Sequence, residues 1–66
     1  MKQIIIDSLS NNKVVTFVFS KGNSYSSDTL VDELTNEKNY IHVAQRSYTD
    51  TRIINLSMVE SIRIQS

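Results

Sequence analysis

Residues 14–20, VVTFVFS, constrain the fold more than any other stretch of this chain. Successive side chains of an extended strand point to opposite faces, so Val15, Phe17 and Phe19 share one face and Val14, Thr16 and Val18 the other. Both faces are largely apolar, which is the pattern of a central strand covered on two sides. The remaining segments must supply that cover.

Several of them read as strands. KQIIID (2–7) is isoleucine-rich and bounded by polar residues, so β propensity makes it a strand. SLSNNK (8–13) follows as a turn, because Asn11 and Asn12 tolerate left-handed backbone. KGNS (21–24) holds the single glycine and predicts a tight turn. NYIHVAQ (39–45) is a strand with Ile41 and Val43 inward and Tyr40, His42 and Ala44 opposite. RSYTDT (46–51) is a polar hairpin tip. RIINL (52–56) is a strand, SMVE (57–60) a single helical turn, and SIRIQ (61–65) a strand with Ile62 and Ile64 inward.

The stretch SSDTLVDELTNEK, residues 26–38, is the one place where the pattern changes. It carries Asp28, Asp32, Glu33 and Glu37 with no base before Lys38. Thr29 and Asp32 have capping-box spacing, and Leu30, Val31 and Leu34 fall on one helical face. These features predict a short helix over about 29–37, with the acids projecting to solvent. The competing reading is an edge strand with Leu30, Asp32 and Leu34 on one face; it mixes charge with apolar side chains. The expected order is β-β-α-β-β-β, a mainly β (α+β) domain built as an antiparallel five-stranded curled sheet. The connections are short, which favours antiparallel neighbours.

The segment RIINLSMVESIRI, strand, helical turn and closing strand, resembles the end of the Sm-like small barrels. Gly22, after the second long strand, and Asn39, in the following turn, are rough counterparts of that family's glycine and asparagine, at a different spacing. The resemblance implies a small barrel. RSY followed by INL resembles the end of the LytTR DNA-binding domain over about a dozen residues, interrupted by TDTRI, and implies nothing about the rest of the chain.

Composition narrows the chemistry. The 66 residues fit one domain, 1–66, beginning at a methionine as a complete small protein would. A domain of this size has a marginal core and usually needs a staple or a partner. The chain contains no cysteine, which excludes disulfides and thiolate metal sites. Self-association is therefore expected. The longest apolar runs are three residues, Ile4–Ile6 and Phe17–Phe19, far short of the roughly 20 that span a bilayer. Without a secretory leader pattern either, the expected location is the cytoplasm.

The net charge is zero, yet charge is segmented: residues 1–21 carry +2, residues 22–37 carry −4, and residues 38–66 carry +2. A nonspecific nucleic-acid binder usually has a basic excess. The expected function is a small non-catalytic protein-binding accessory protein. Its size and its Ile/Asn/Ser-rich, proline-free composition resemble accessory proteins of phages and mobile elements. Asp28, Asp32, Glu33 and Glu37 form the candidate face for a basic protein partner, because a segregated negative charge steers such a partner. The alternative is a nucleic-acid-binding small barrel, with Arg46, Tyr48 and Arg52 at the hairpin tip joined by Lys21 and Lys38. Arginine forks grip phosphate and tyrosine stacks on bases. His42, the single histidine, sits in mid-strand and reads as a sheet-surface residue. No catalytic residue, metal or cofactor is expected.

Alternation in the strands, with helical spacing at 30–34, places Ile4, Ile6, Val15, Phe17, Phe19, Leu30, Leu34, Ile41, Val43, Ile54, Leu56, Ile62 and Ile64 in the core. Truncating Phe17 to alanine is expected to cost about 3–5 kcal/mol. That is comparable to the whole stability of a domain this small. A denaturation curve of Phe17→Ala matching that of the wild type would overturn the core drawn here.

Overall fold

The computed structural model describes residues 1–66 and shows a mainly β chain with one helix. The elements are α1 (Lys2–Ser10), β1 (Val14–Phe19), β2 (Ser24–Ser27), β3 (Thr29–Asp32), β4 (Tyr40–Ala44), β5 (Thr51–Asn55), a 3-10 turn (Leu56–Met58) and β6 (Val59–Gln65). They form two antiparallel three-stranded sheets, ordered β2-β1-β6 and β3-β4-β5. The expected class is present, and β1 is the central strand of its sheet. Three details differ: there are six strands rather than five, the sheets do not close into a barrel, and the helix comes first in the chain rather than third.

The first correction concerns residues 2–10, a helix rather than a strand followed by a turn. Ile5, Ser8 and Leu9 are its buried residues, spaced i, i+3 and i+4 along one face. Gln3 donates to Asp7 Oδ1 one turn later (2.9 Å). The end of the helix is set by Asn12, whose φ is +61°. The Asn12 N–H donates to the Leu9 carbonyl (3.2 Å) and the Lys13 N–H to the Ser8 carbonyl (3.0 Å). This pair of bonds is a Schellman closure, in which a left-handed residue satisfies the last helical carbonyls. The left-handed asparagine was legible; what it terminates was not. Three consecutive isoleucines favour a strand locally, but burial of Ile5 and Leu9 against β1 and β3 overrides that preference.

The second correction concerns residues 29–37, which form β3 and a loop rather than a helix. β3 pairs with β4, with Leu30 opposite Val43 and Asp32 opposite His42. In a helix Glu33 and Glu37 would stand at i, i+4, where like charges repel. Instead the Asp32 carboxylate accepts from the Leu34 N–H (3.0 Å), a local turn that competes with helix formation. Leu34 adopts φ +54°, unusual for a bulky residue. Lys2 anchors that turn: its Nζ donates to the carbonyls of Leu34 (2.8 Å) and Glu37 (2.7 Å). Val31, expected inside, is exposed.

The core consists of Ile5, Leu9, Val15, Phe17, Ile41, Val43, Ile54, Leu56 and Val59, with Ile6, Phe19, Tyr25, Leu30 and Ile62 packed at its margin. Ile4 and Ile64, assigned inward by alternation, are 55% and 41% exposed. Ile4 points away because residue 5, not residues 4 and 6, centres the helix's buried face. Leu34 is half-buried. Ser27 is fully buried opposite Val15, and its hydroxyl has no hydrogen-bond partner.

The helical assignment separates two neighbouring isoleucines. Ile5→Ala is expected to cost about 2–5 kcal/mol, and the exposed Ile4→Ala within about 0.5 kcal/mol. Chemical denaturation measures both; equal losses, or a larger loss at Ile4, would contradict the helix register.

Candidate functional site

One residue, Asp28, separates β2 from β3, so the chain leaves one sheet and enters the other at a single corner. The corner is held by main chain and side chain together. The Asp28 N–H donates to the Ala44 carbonyl (3.2 Å). The Asp28 carboxylate accepts from the Arg46 N–H (2.8 Å) and from the Thr29 hydroxyl (2.9 Å). Burial pushes this carboxyl up, but the Arg46 N–H, the Thr29 hydroxyl and the Arg46 charge together outweigh it and hold the group below its ordinary value. Asp28 thus pins the β4–β5 hairpin to the corner, and its Oδ1 accepts both bonds within the chain.

That anchoring places the hairpin tip beside β2. Tyr25, Gln45, Tyr48, Asp50 and Arg52 line one hollow of about 300 Å³. Arg52 stands opposite Val43 in β5 and lies over the Tyr25 ring, its guanidinium carbon 4.5 Å from the ring centre. This is within cation–π range. Burial raises the Tyr25 hydroxyl above its ordinary value; Arg52 pulls it down, and Asp50 and Asp28 push it up. Tyr48 is 63% exposed at the tip. The structure therefore brings Tyr48 and Arg52 into one site, with Arg46 exposed beside Gln45. It adds Tyr25 and Gln45, which the sequence did not single out, and Asp50, the acid between Tyr48 and Arg52 at the tip. Tyr25 was hidden because its nearness to Arg52 is a contact between sheets, with no trace in local spacing.

Lys21 and Lys38 are not part of this cluster. Lys38 precedes β4 and the tip follows it, a separation of about 17 Å along a five-residue strand. Both lysines flank the 3-10 turn instead. Ser20, next to Lys21, donates its N–H to the Met58 carbonyl (3.4 Å), and the Leu56 N–H donates to the carbonyl of Asn39, next to Lys38 (2.6 Å).

The acids are also divided. Asp32 and Glu37 line a shallow hollow on the β3–β4 loop with Leu34, Thr35 and Asn36. Glu33 faces a second hollow, shared with Lys2, Gln3, Ile6, Thr35 and Lys38. Asp28 belongs to the corner. Asp32, the last residue of β3, and Glu37, in the β3–β4 loop, are therefore the two acids whose hollow no lysine lines. His42 is half-buried on β4, its Nε2 2.8 Å from the Thr51 hydroxyl across the β4–β5 pair.

The sheet edges complete the description. β5 pairs only with β4 and β6 only with β1. Ile53 on β5, Ile64 on β6 and Met58 between them are 60%, 41% and 51% exposed. No helix is long and apolar enough to cross a membrane. No protein-family model, no curated protein and no solved structure matches the chain.

The corner has a testable pH signature. The folded state favours ionised Asp28, so its contribution to stability is complete above the ordinary carboxylate value of 3.8 and is lost as pH falls below it. Thermal melts across the acid range are expected to show this loss in the wild type. Asp28→Asn keeps an acceptor oxygen but has no titrating proton, so the same part of the pH dependence is expected to shrink. An identical acid profile in both proteins would remove Asp28 from the account.

Proposed function

We propose that this chain is a non-catalytic binding protein that assembles with copies of itself through its sheet edges and presents the β3–β4 loop to a basic protein partner. The observation that carries the reading is that β5 and β6 are each paired on one side only; the other two edge strands, β2 and β3, meet at the Asp28 corner. Unpaired strand edges are templates for another chain, and folded proteins usually blunt or cover them. Here the one charge of β5, Arg52, lies over the Tyr25 ring, and the strand displays Ile53.

The β5 and β6 edges differ, so β5 of one copy meeting β6 of the next is a head-to-tail contact. Repetition of such a contact gives a ring where the rotation closes and a filament where it does not. Burial of Ile53, Ile64 and Met58 contributes to this pairing through removal of apolar surface from water. In the finer reading, the fold is an Sm-like small barrel opened between β5 and β6. The corner at Asp28 and the strand, 3-10 turn and strand over 51–65 support that reading. Val14 and Val18, on the outward face of β1, are half-buried and offer further surface for a neighbouring copy. The single histidine, engaged with Thr51, favours a binding role over catalysis.

Asp32 and Glu37 stand on a turn that Lys2 anchors from below. A negative loop on a fixed base attracts a basic partner chiefly by raising its association rate.

Light scattering at micromolar concentration is expected to give a mass at a multiple of the 7.6 kDa chain. Ile53→Lys, a charge on the free edge, is expected to return it to the monomer. A strict monomer at high concentration would overturn the assembly. For the loop, reversal of Glu33 and Glu37 to lysine is expected to leave the melting curve nearly unchanged, each exposed site contributing within about 0.5 kcal/mol; Asp32 is kept because its carboxylate accepts from the Leu34 N–H. The reversed protein is expected to recover less of the basic partner captured by wild type from its host; equal recovery would leave these acids as a solvated surface.

A further inference from the structure

We infer that the hollow between β2 and the β4–β5 tip is a binding site for a guanine base carrying its phosphate. The site lies within one chain and does not depend on assembly. Its floor is the Arg52 guanidinium laid over the Tyr25 ring at 4.5 Å. Both residues line the hollow. Guanidinium planes and aromatic rings are the two surfaces on which unpaired bases stack. Tyr48, at the mouth of the same hollow and 63% exposed, supplies the second stacking surface. A base entering here lies between an arginine plane and a tyrosine ring. The volume, about 300 Å³, lies at the lower limit of small-ligand sites, which run from about 300 to 1,000 Å³.

The polar lining selects among bases. Asp50 and Gln45 are the other two residues of the wall. An ionised carboxylate only accepts hydrogen bonds, whereas a glutamine amide both donates and accepts. Guanine is the base with two adjacent N–H donors, N1–H and the N2 amino group, beside an acceptor, O6. Its donor edge suits Asp50 and its O6 suits the Gln45 amide. Adenine and cytosine each present one amino group beside a ring acceptor that Asp50 would repel, and uracil presents a single N–H between two acceptors. Arg46, exposed and next to Gln45, is available for the phosphate, for which its forked donors are matched. Its backbone is fixed by the 2.8 Å bond to Asp28, so the residue beside the hollow is held to the corner. The site therefore has a stacking slot, a discriminating wall and an anion contact on one hairpin and its neighbouring strand.

The same chemistry is offered by a free guanine nucleotide and by a guanine in a single strand. The experiment is a titration of the isotopically labelled full chain, followed by amide NMR, with GMP, AMP, CMP and UMP, and with the heptanucleotides UUUGUUU and UUUUUUU. Shifts are expected at residues 45–52 and at Tyr25, with GMP binding about tenfold more tightly than the other mononucleotides. Tyr48→Ala, at an exposed position, is expected to weaken GMP about tenfold, the scale of one lost stacking contact. Asp50→Asn is expected to abolish the preference for GMP over AMP while leaving the dispersed spectrum of a folded chain. Tighter binding of UUUGUUU than of GMP identifies the strand as the ligand, and the reverse identifies the free nucleotide; both support the site. Equal shifts with all four mononucleotides, no shift with GMP at millimolar concentration, or undiminished binding by Tyr48→Ala would each overturn it.

Discussion

Asp28 joins three parts of the molecule at once: the end of β2, the start of β3 and Arg46, the second residue beyond β4. Its bonds to the Arg46 N–H and the Thr29 hydroxyl, with its own N–H on Ala44, let the chain turn between sheets without an intervening loop. A backbone donor buried or bent out of a ladder needs a partner elsewhere. At this corner the partners come from the neighbouring hairpin. One group of hydrogen bonds therefore ties the corner between the sheets to the start of the hairpin tip.

The packing follows from that corner. Phe17 and Val15 face inward from one sheet, Ile41, Val43 and Ile54 from the other, and α1 inserts Ile5 and Leu9 beside them. Lys2 then ties the start of the helix to the β3–β4 turn through two carbonyls. A chain of this size has too little interior to leave an element loosely attached. One helix covers part of the sheet surface and leaves β5 and β6 each open on one side, so the same economy that closes the core exposes the edges.

Candidate chemistry concentrates where the two sheets approach each other at the hairpin. Arg46, Tyr48 and Arg52 were visible in the sequence as two guanidinium groups around an aromatic. Tyr25 was not, since it stands 27 positions from Arg52 and meets it only because Asp28 folds β2 toward β5. The acidic stretch shows the converse. Four acids within ten residues looked like one face, and the fold distributes them among the corner, the β3–β4 loop and a hollow shared with two lysines.

By itself the sequence determined the central strand, the glycine turn, the β4–β5 hairpin and the 3-10 turn leading to the last strand. Each of these depends on period-two alternation or on turn residues acting over a few positions. It also determined that no disulfide or thiolate metal site staples the fold. Tertiary structure decided the two segments whose local signals were ambiguous. Residues 2–10 carry three β-branched isoleucines yet form a helix, because only a helix sets Ile5 and Leu9 together against β1 and β3. Residues 29–32 carry a helix-start signature yet form a strand, because pairing with β4 satisfies their backbone and Asp32 turns back on the Leu34 N–H. In both cases a modest local propensity yielded to burial and hydrogen bonding with segments distant in the sequence, which no short window of residues contains.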